Sequence, residues 1–144
     1  MHIEPGVVDG VKMGFAFATA AGAAAYTAKL AFADLVKSNP VSFAARTFMA
    51  TIGTFIFFQV LPHFPAGISE VHFILGTTLF LLMGAAPAAL GLALGLLLQG
   101  MLFAPTDLPM FFVNVTTLLV PLFAISGLAQ RIVPQSKALS LIHI

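Results

Sequence analysis

The stretch that decides the architecture is Val71–Thr106, VHFILGTTLFLLMGAAPAALGLALGLLLQGMLFAPT, which has 36 residues and no Asp, Glu, Lys or Arg. As one helix rising ~1.5 Å per residue it would be about 54 Å long, far more than the ~30 Å hydrocarbon core of a bilayer. Gly84-Ala85-Ala86-Pro87 is the natural break, because proline removes a helical hydrogen bond and its ring clashes with the preceding turn. This leaves a short segment over 72–84 and a longer one over 87–104. The short one covers only ~20 Å at the same rise, so one of its ends is expected to stop inside the membrane.

Working outward, Met13–Ala28 is uncharged, and Lys12 and Lys29 sit near the ends of a helix expected over 11–33. Thr47–Ser69 is uncharged too, and Pro62-His63-Phe64-Pro65 ends its apolar run. Leu108–Gln130 adds 23 more uncharged residues. Five membrane segments result, about 11–33, 47–61, 72–84, 87–104 and 110–130. The fold class is an all-α polytopic membrane protein, one integral-membrane domain over residues 1–144.

Composition agrees. Of 144 residues, 60% are apolar and 8% charged, against roughly 45–50% and about 25% in soluble domains. Eleven charged side chains cannot cover a soluble surface of this size, so a soluble enzyme, a secreted disulfide scaffold and a disordered chain are excluded. The absence of Cys removes thiolate metal sites and cysteine nucleophiles, and a net charge of +1 offers nucleic acid no basic footprint. Trp is absent and Tyr26 stands alone, so the usual aromatic belt is missing, with fifteen Phe supplying bulk instead.

Lys29, Lys37 and Arg46 cluster around the first connection, Arg131 and Lys137 follow the last segment, and 62–71 and 105–109 contain no Lys or Arg. The positive-inside rule then puts the first connection and the C-terminus in the cytoplasm. Residues 1–10, 62–71 and 105–109 share the outer side, and Lys12 snorkels to the interface. Met1–Gly10 has His2, Glu4 and Asp9 where a signal peptide needs a basic region, so Met1 is expected to be retained.

This topology gathers Met1, His2, Glu4, Asp9, His63, Glu70, His72 and Asp107 near one face, with His143 on the other. Ionisable groups near a membrane interior point to function. At His2, a free α-amine, the backbone amide nitrogen and the imidazole can close fused chelate rings on one ion. An all-nitrogen set selects late divalent metals such as Ni²⁺, Cu²⁺ or Co²⁺ over Mg²⁺ and Ca²⁺. His72, at the head of the short segment, is the best source of a fourth nitrogen and a square-planar set.

Blander readings stand beside these. An N-terminal His is commonly solvated, and His72 can simply bond a neighbouring carbonyl. His63 between two prolines reads as a headgroup-level loop residue. Glu70 and Asp107 read as solvated loop charges, Asp107 also as a cap of the next helix. Gly91-x-x-x-Gly95 reads as close helix packing, and Gln99 and Asn114 need partners, either across helices or along a polar cavity wall. No phosphate loop with Lys, H-E-x-x-H or serine elbow is present, so the chain reads as a non-enzyme, and energised transport would need a partner.

Three stretches carry a family resemblance: Met1-His2-Ile3-x-x-Gly6, then Phe64-Pro65-x-Gly67-Ile68-Ser69-x-x-His72-x-x-x-Gly76, and Leu98-Gln99-x-x-Leu102-Phe103-Ala104 followed by Asn114. From residue 1 to about 125 the chain resembles the CbiM/NikM family, the substrate-binding membrane component of energy-coupling-factor cobalt and nickel importers. The resemblance implies an N-terminus folded back into the bundle and Co²⁺ or Ni²⁺ held by Met1, His2 and His72. Gln99 and Asn114 match polar family positions around the ligands or along the cavity. It also implies a transmembrane coupling subunit, cytoplasmic ATPase subunits and often a small accessory membrane protein, in the cytoplasmic membrane, with a tie to cobalamin synthesis. Family members are usually longer, which leaves room for further C-terminal helices. The resulting reading is capture of Co²⁺ or Ni²⁺ as transported substrate from the outer side and ATP-driven delivery inward. A passive metal or small-solute channel and a structural membrane subunit are the alternatives.

Overall fold

The computed structural model describes residues 2–3, 6–62, 64–66, 69–71 and 76–132. The chain order is β1 (His2–Ile3), α1 (Gly10–Lys37), α2 (Pro40–Gln59), β2 (Phe64–Ala66), β3 (Ser69–Val71), α3 (Gly76–Met83), α4 (Ala85–Leu102), a 3₁₀ helix (Pro105–Met110) and α5 (Phe111–Ile132). Among the described residues the architecture is an all-α bundle of five helices with a small three-stranded ribbon at one end. Among the described residues three helical stretches are long and apolar enough to cross a membrane: α2, α4, and α5 together with the 3₁₀ helix.

The first corner differs from the sequence expectation. The first helix runs to Lys37 instead of stopping at 33, and the second begins at Pro40 instead of 47. Charge marks where a segment leaves lipid, but Asp34, Lys37 and Arg46 do not break a helix. The break is made by Ser38-Asn39-Pro40: Ser38 is extended, and Asn39 caps α2 by accepting a 2.8 Å bond from the Val41 N–H. Pro40 takes the first helical position, where no N–H is needed.

Arg46 therefore lies inside α2, not in a connection. Its Nη2 donates to Asp34 Oδ1 at 2.7 Å and its Nη1 to Asp34 Oδ2 at 3.1 Å. Nη1 also donates to the Met83 carbonyl at 2.8 Å, and Ser38 Oγ donates to Asp34 Oδ1 at 2.7 Å. The clasp joins the α1–α2 corner to the α3–α4 break, so both lie at the same end of the bundle.

The break itself falls at Gly84, with φ +92°, a conformation that suits glycine. α4 starts at Ala85 rather than 87, because Pro87 sits in its first turn, where a missing N–H costs nothing. α3 has eight residues and rises ~12 Å, against ~30 Å for the 20 residues of α2. With Met83 held at the clasp, its Gly76 end lies inside the bundle. An open cleft of about 200 Å³ beside this start is lined by Gly76, Thr77, Thr117, Leu118, Pro121, Leu122 and Ile125.

α4 is the central element and packs on all four other helices, most extensively on α2. A Cβ at Gly91 would come 2.4 Å from Ala50 Cβ and 2.7 Å from the Ala50 carbonyl carbon. One at Gly95 would meet Thr54 Cβ at 2.6 Å and the Thr51 oxygen at 2.9 Å. Residues 91 and 95 thus match 50 and 54 in order, so α2 and α4 run parallel with their backbones nearly touching. Without a hydrophobic force between helices in lipid, such van der Waals contact carries the association. Buried Leu92, Leu96, Leu118, Leu119, Leu122 and Phe58 complete the core. α1 lies against α5 through Phe17–Phe112 and Tyr26–Phe123 ring contacts, with centroids 4.9 and 4.8 Å apart. Outward-facing Phe15, Phe32, Phe48, Leu81 and Leu82 are exposed, as lipid contact requires.

Gly91→Val and Gly95→Val are expected to destabilise the bundle by about 1–3 kcal/mol or more, the cost of overpacking a closed contact. Gly22→Ala, where an added Cβ meets nothing within 4 Å, should be neutral or slightly stabilising. Thermal unfolding in detergent, followed by size-exclusion, measures the difference.

Candidate metal centre

β1 comes from the first residues of the chain and pairs antiparallel with β3, with His2 opposite Glu70 and Ile3 opposite Ser69. β2 pairs with the other edge of β3, Phe64 opposite Val71 and Ala66 opposite Ser69, giving the order β1-β3-β2. Backbone pairing thus closes a separation of nearly seventy residues and sets the N-terminal strand on the strand that leads into His72. An all-helical expectation misses this ribbon. Strands of two or three residues are too short to show an alternating pattern.

β1 also packs on the 3₁₀ helix and α5. The N-terminal strand, the 64–71 hairpin and the 105–110 turn therefore gather at one end, and the Arg46 clasp holds the other. Met1, His63, His72 and His143 lie outside the described residues, as do the side chains of His2 and Glu70. Among the described residues no three His, Asp or Glu side chains come together.

Gln99 and Asn114 are both buried, 6% and 1% exposed. They line one small cavity of about 10 Å³ together with Leu96 and Gly100 of α4, Asp107 and Leu108 of the 3₁₀ helix, and Phe111. The Gln99 Oε1 has no hydrogen-bond partner among the described protein atoms. Asp107 is neither a fully solvated loop charge nor a helix cap. It lies within the 3₁₀ helix, half-buried, with its N–H bonded to the Ala104 carbonyl at 3.0 Å, while Ala104 holds the cap position. Two prolines, Pro105 and Pro109, bend this segment into a 3₁₀ helix and turn Asp107 toward the cavity. The sequence signal was there in Pro105-Thr106-Asp107-Leu108-Pro109, although a short 3₁₀ turn cannot be told from a loop by periodicity.

Fold and site together define a class: a helical integral-membrane protein whose N-terminus returns to the bundle and pairs with an internal hairpin. More narrowly, the chain belongs to the CbiM family, the cobalt uptake substrate-specific transmembrane region, which it matches over residues 2–142. It is thus a membrane component of cobalt uptake. No curated protein and no solved structure matches it significantly.

The strand pairing can be trapped directly, because the chain contains no Cys. Directly opposed antiparallel residues have Cα atoms about 4.5–5.5 Å apart, inside the disulfide range. Ile3→Cys with Ser69→Cys is expected to cross-link on mild oxidation. Ile3→Cys with Phe64→Cys, on strands that are not neighbours, should stay reduced. Mobility on non-reducing gels after proteolysis between the two positions reads the outcome.

Proposed function

We propose that the protein captures Co²⁺ or Ni²⁺ at the end formed by β1, the 64–71 hairpin and the 105–110 turn, through nitrogen atoms of Met1, His2 and His72. The pairing of His2 with Glu70 carries this reading, since it brings the N-terminal chelating group to the strand that ends one residue before His72. The terminal amine, a deprotonated backbone amide and two imidazoles form an all-nitrogen set of the kind that late divalent metals select. Binding releases protons, so affinity falls as the solution is acidified.

Outward orientation of this end is supported by the Lys/Arg pattern. Asp34 forms an ion pair with Arg46, and Lys29, Lys37 and Arg131 are the further basic groups on the opposite side among the described residues. The chain has no phosphate-binding loop, and the energy for uptake comes from cytoplasmic ATPase subunits acting through a transmembrane coupling subunit. Cobalt uptake names the family; a square-planar nitrogen set also suits Ni²⁺.

Calorimetry with Co²⁺ and Ni²⁺ on protein with an untagged N-terminus tests the site. Inserting one Gly between Met1 and His2 separates the amine from the imidazole, and His72→Ala removes the fourth nitrogen. Each is expected to weaken binding by more than the ~10–100-fold that outer groups cost. Unchanged affinity after the insertion would show that the N-terminus does not hold the metal.

A further inference from the structure

We infer that the cavity between α4, the 3₁₀ helix and α5 is a binding site for a single water molecule, and that Gln99, through this water, positions the turn on which the His2 strand rests. The Gln99 amide is more than nine-tenths buried, its oxygen has no hydrogen-bond partner among the described residues, and the residue lines the cavity. A buried carbonyl oxygen in that state needs a hydrogen-bond donor. The cavity volume of about 10 Å³ is close to the least that holds one water.

The walls limit what else could enter. A Cβ at Gly100 would already stand 3.0 Å from Leu108 Cδ2, so α4 and the 3₁₀ helix are in close contact beside the cavity. A hydrated divalent ion is far too large. A bare one would have to give up its water shell for two neutral amides and one half-exposed carboxylate. A water molecule suits the site better: it donates one O–H to Gln99 Oε1 and keeps a second donor and its lone pairs for Asp107 and Asn114, which line the same space.

The position gives this water a consequence. Gln99 belongs to the most deeply packed helix, whereas Asp107 and Leu108 belong to the 3₁₀ helix, which packs on β1. A water bonded to both sides ties the bed of the N-terminal strand to the core. Gln99 is a positioning residue, and this part of the inference rests on the metal site proposed above.

Gln99→Met keeps the length and removes the acceptor; Gln99→Asn keeps an amide and leaves room for a second water. With Ni²⁺ as the probe, Gln99→Met is expected to lower affinity about 10–100-fold, in the range of outer groups around metal ligands. The visible absorption band of bound Ni²⁺ should stay unchanged, because the ligands themselves are intact. Gln99→Asn should bind within a few-fold of the unaltered protein. In a high-resolution structure of the unaltered protein, one peak at hydrogen-bond distance from Gln99 is expected, without anomalous signal at the Ni or Co edge. Wild-type affinity in Gln99→Met overturns the positioning role. A clear map with no peak, or an anomalous metal peak in the cavity, overturns the water site. The map decides the water site even if Gln99→Met fails to fold or the unaltered protein binds no Ni²⁺, and the latter result would fall on the metal reading alone.

Discussion

The backbone contact between α2 and α4 is the constraint from which the rest of the molecule follows. Gly91 and Gly95 lie where any Cβ would overlap Ala50 and Thr54, so two helices meet at a distance that only hydrogen side chains allow. Because the two helices run parallel, the chain must return across the bundle between them, and α3 makes only part of that return. The remainder falls to the segment that carries β2 and β3. The same contact fixes the height of Gln99 one turn beyond Gly95, and so the level of the polar cavity. Small residues in α4 thus decide both how tightly the bundle closes and where its polar end begins.

The two ends are built on different physics. At one, a bidentate Arg46–Asp34 pair shares its guanidinium with the Met83 carbonyl, the last residue before the Gly84 break. A planar, fork-shaped donor suits this task, since it satisfies a carboxylate and a helix-end carbonyl together. At the other, backbone pairing of strands of two and three residues closes the structure. So short a ribbon holds little stability of its own. It is supported by the 3₁₀ helix and α5, on both of which β1 packs.

Much of this was legible in the sequence. The Gly84–Pro87 break and the close packing at Gly91 and Gly95 followed from residues whose chemistry is local: proline cannot continue a helix and glycine admits a neighbour. The extent of α1 and α2 does not follow in this way, because charges mark the membrane boundary rather than helix ends, and the true signal is Asn39-Pro40. The Arg46 clasp and the β1–β3 pairing depend on contacts between distant segments, which no periodicity encodes. In sequence Asp107 looks like a solvated or capping group, and its place in the lining with Gln99 and Asn114 follows from the 3₁₀ segment between Pro105 and Pro109. The family resemblance, in contrast, was carried by short motifs at Met1-His2-Ile3 and around His72, and it extends over nearly the whole chain.

On the proposed reading, the metal sits among nitrogen atoms where the N-terminal strand meets the hairpin. X-ray absorption at the Ni edge on the metal-loaded, untagged protein tests it most directly. A four-coordinate, all-nitrogen shell is expected, with the sharp pre-edge feature of square-planar Ni²⁺ and the multiple-scattering signature of imidazole. A six-coordinate shell dominated by oxygen, without imidazole scattering, would contradict the claim.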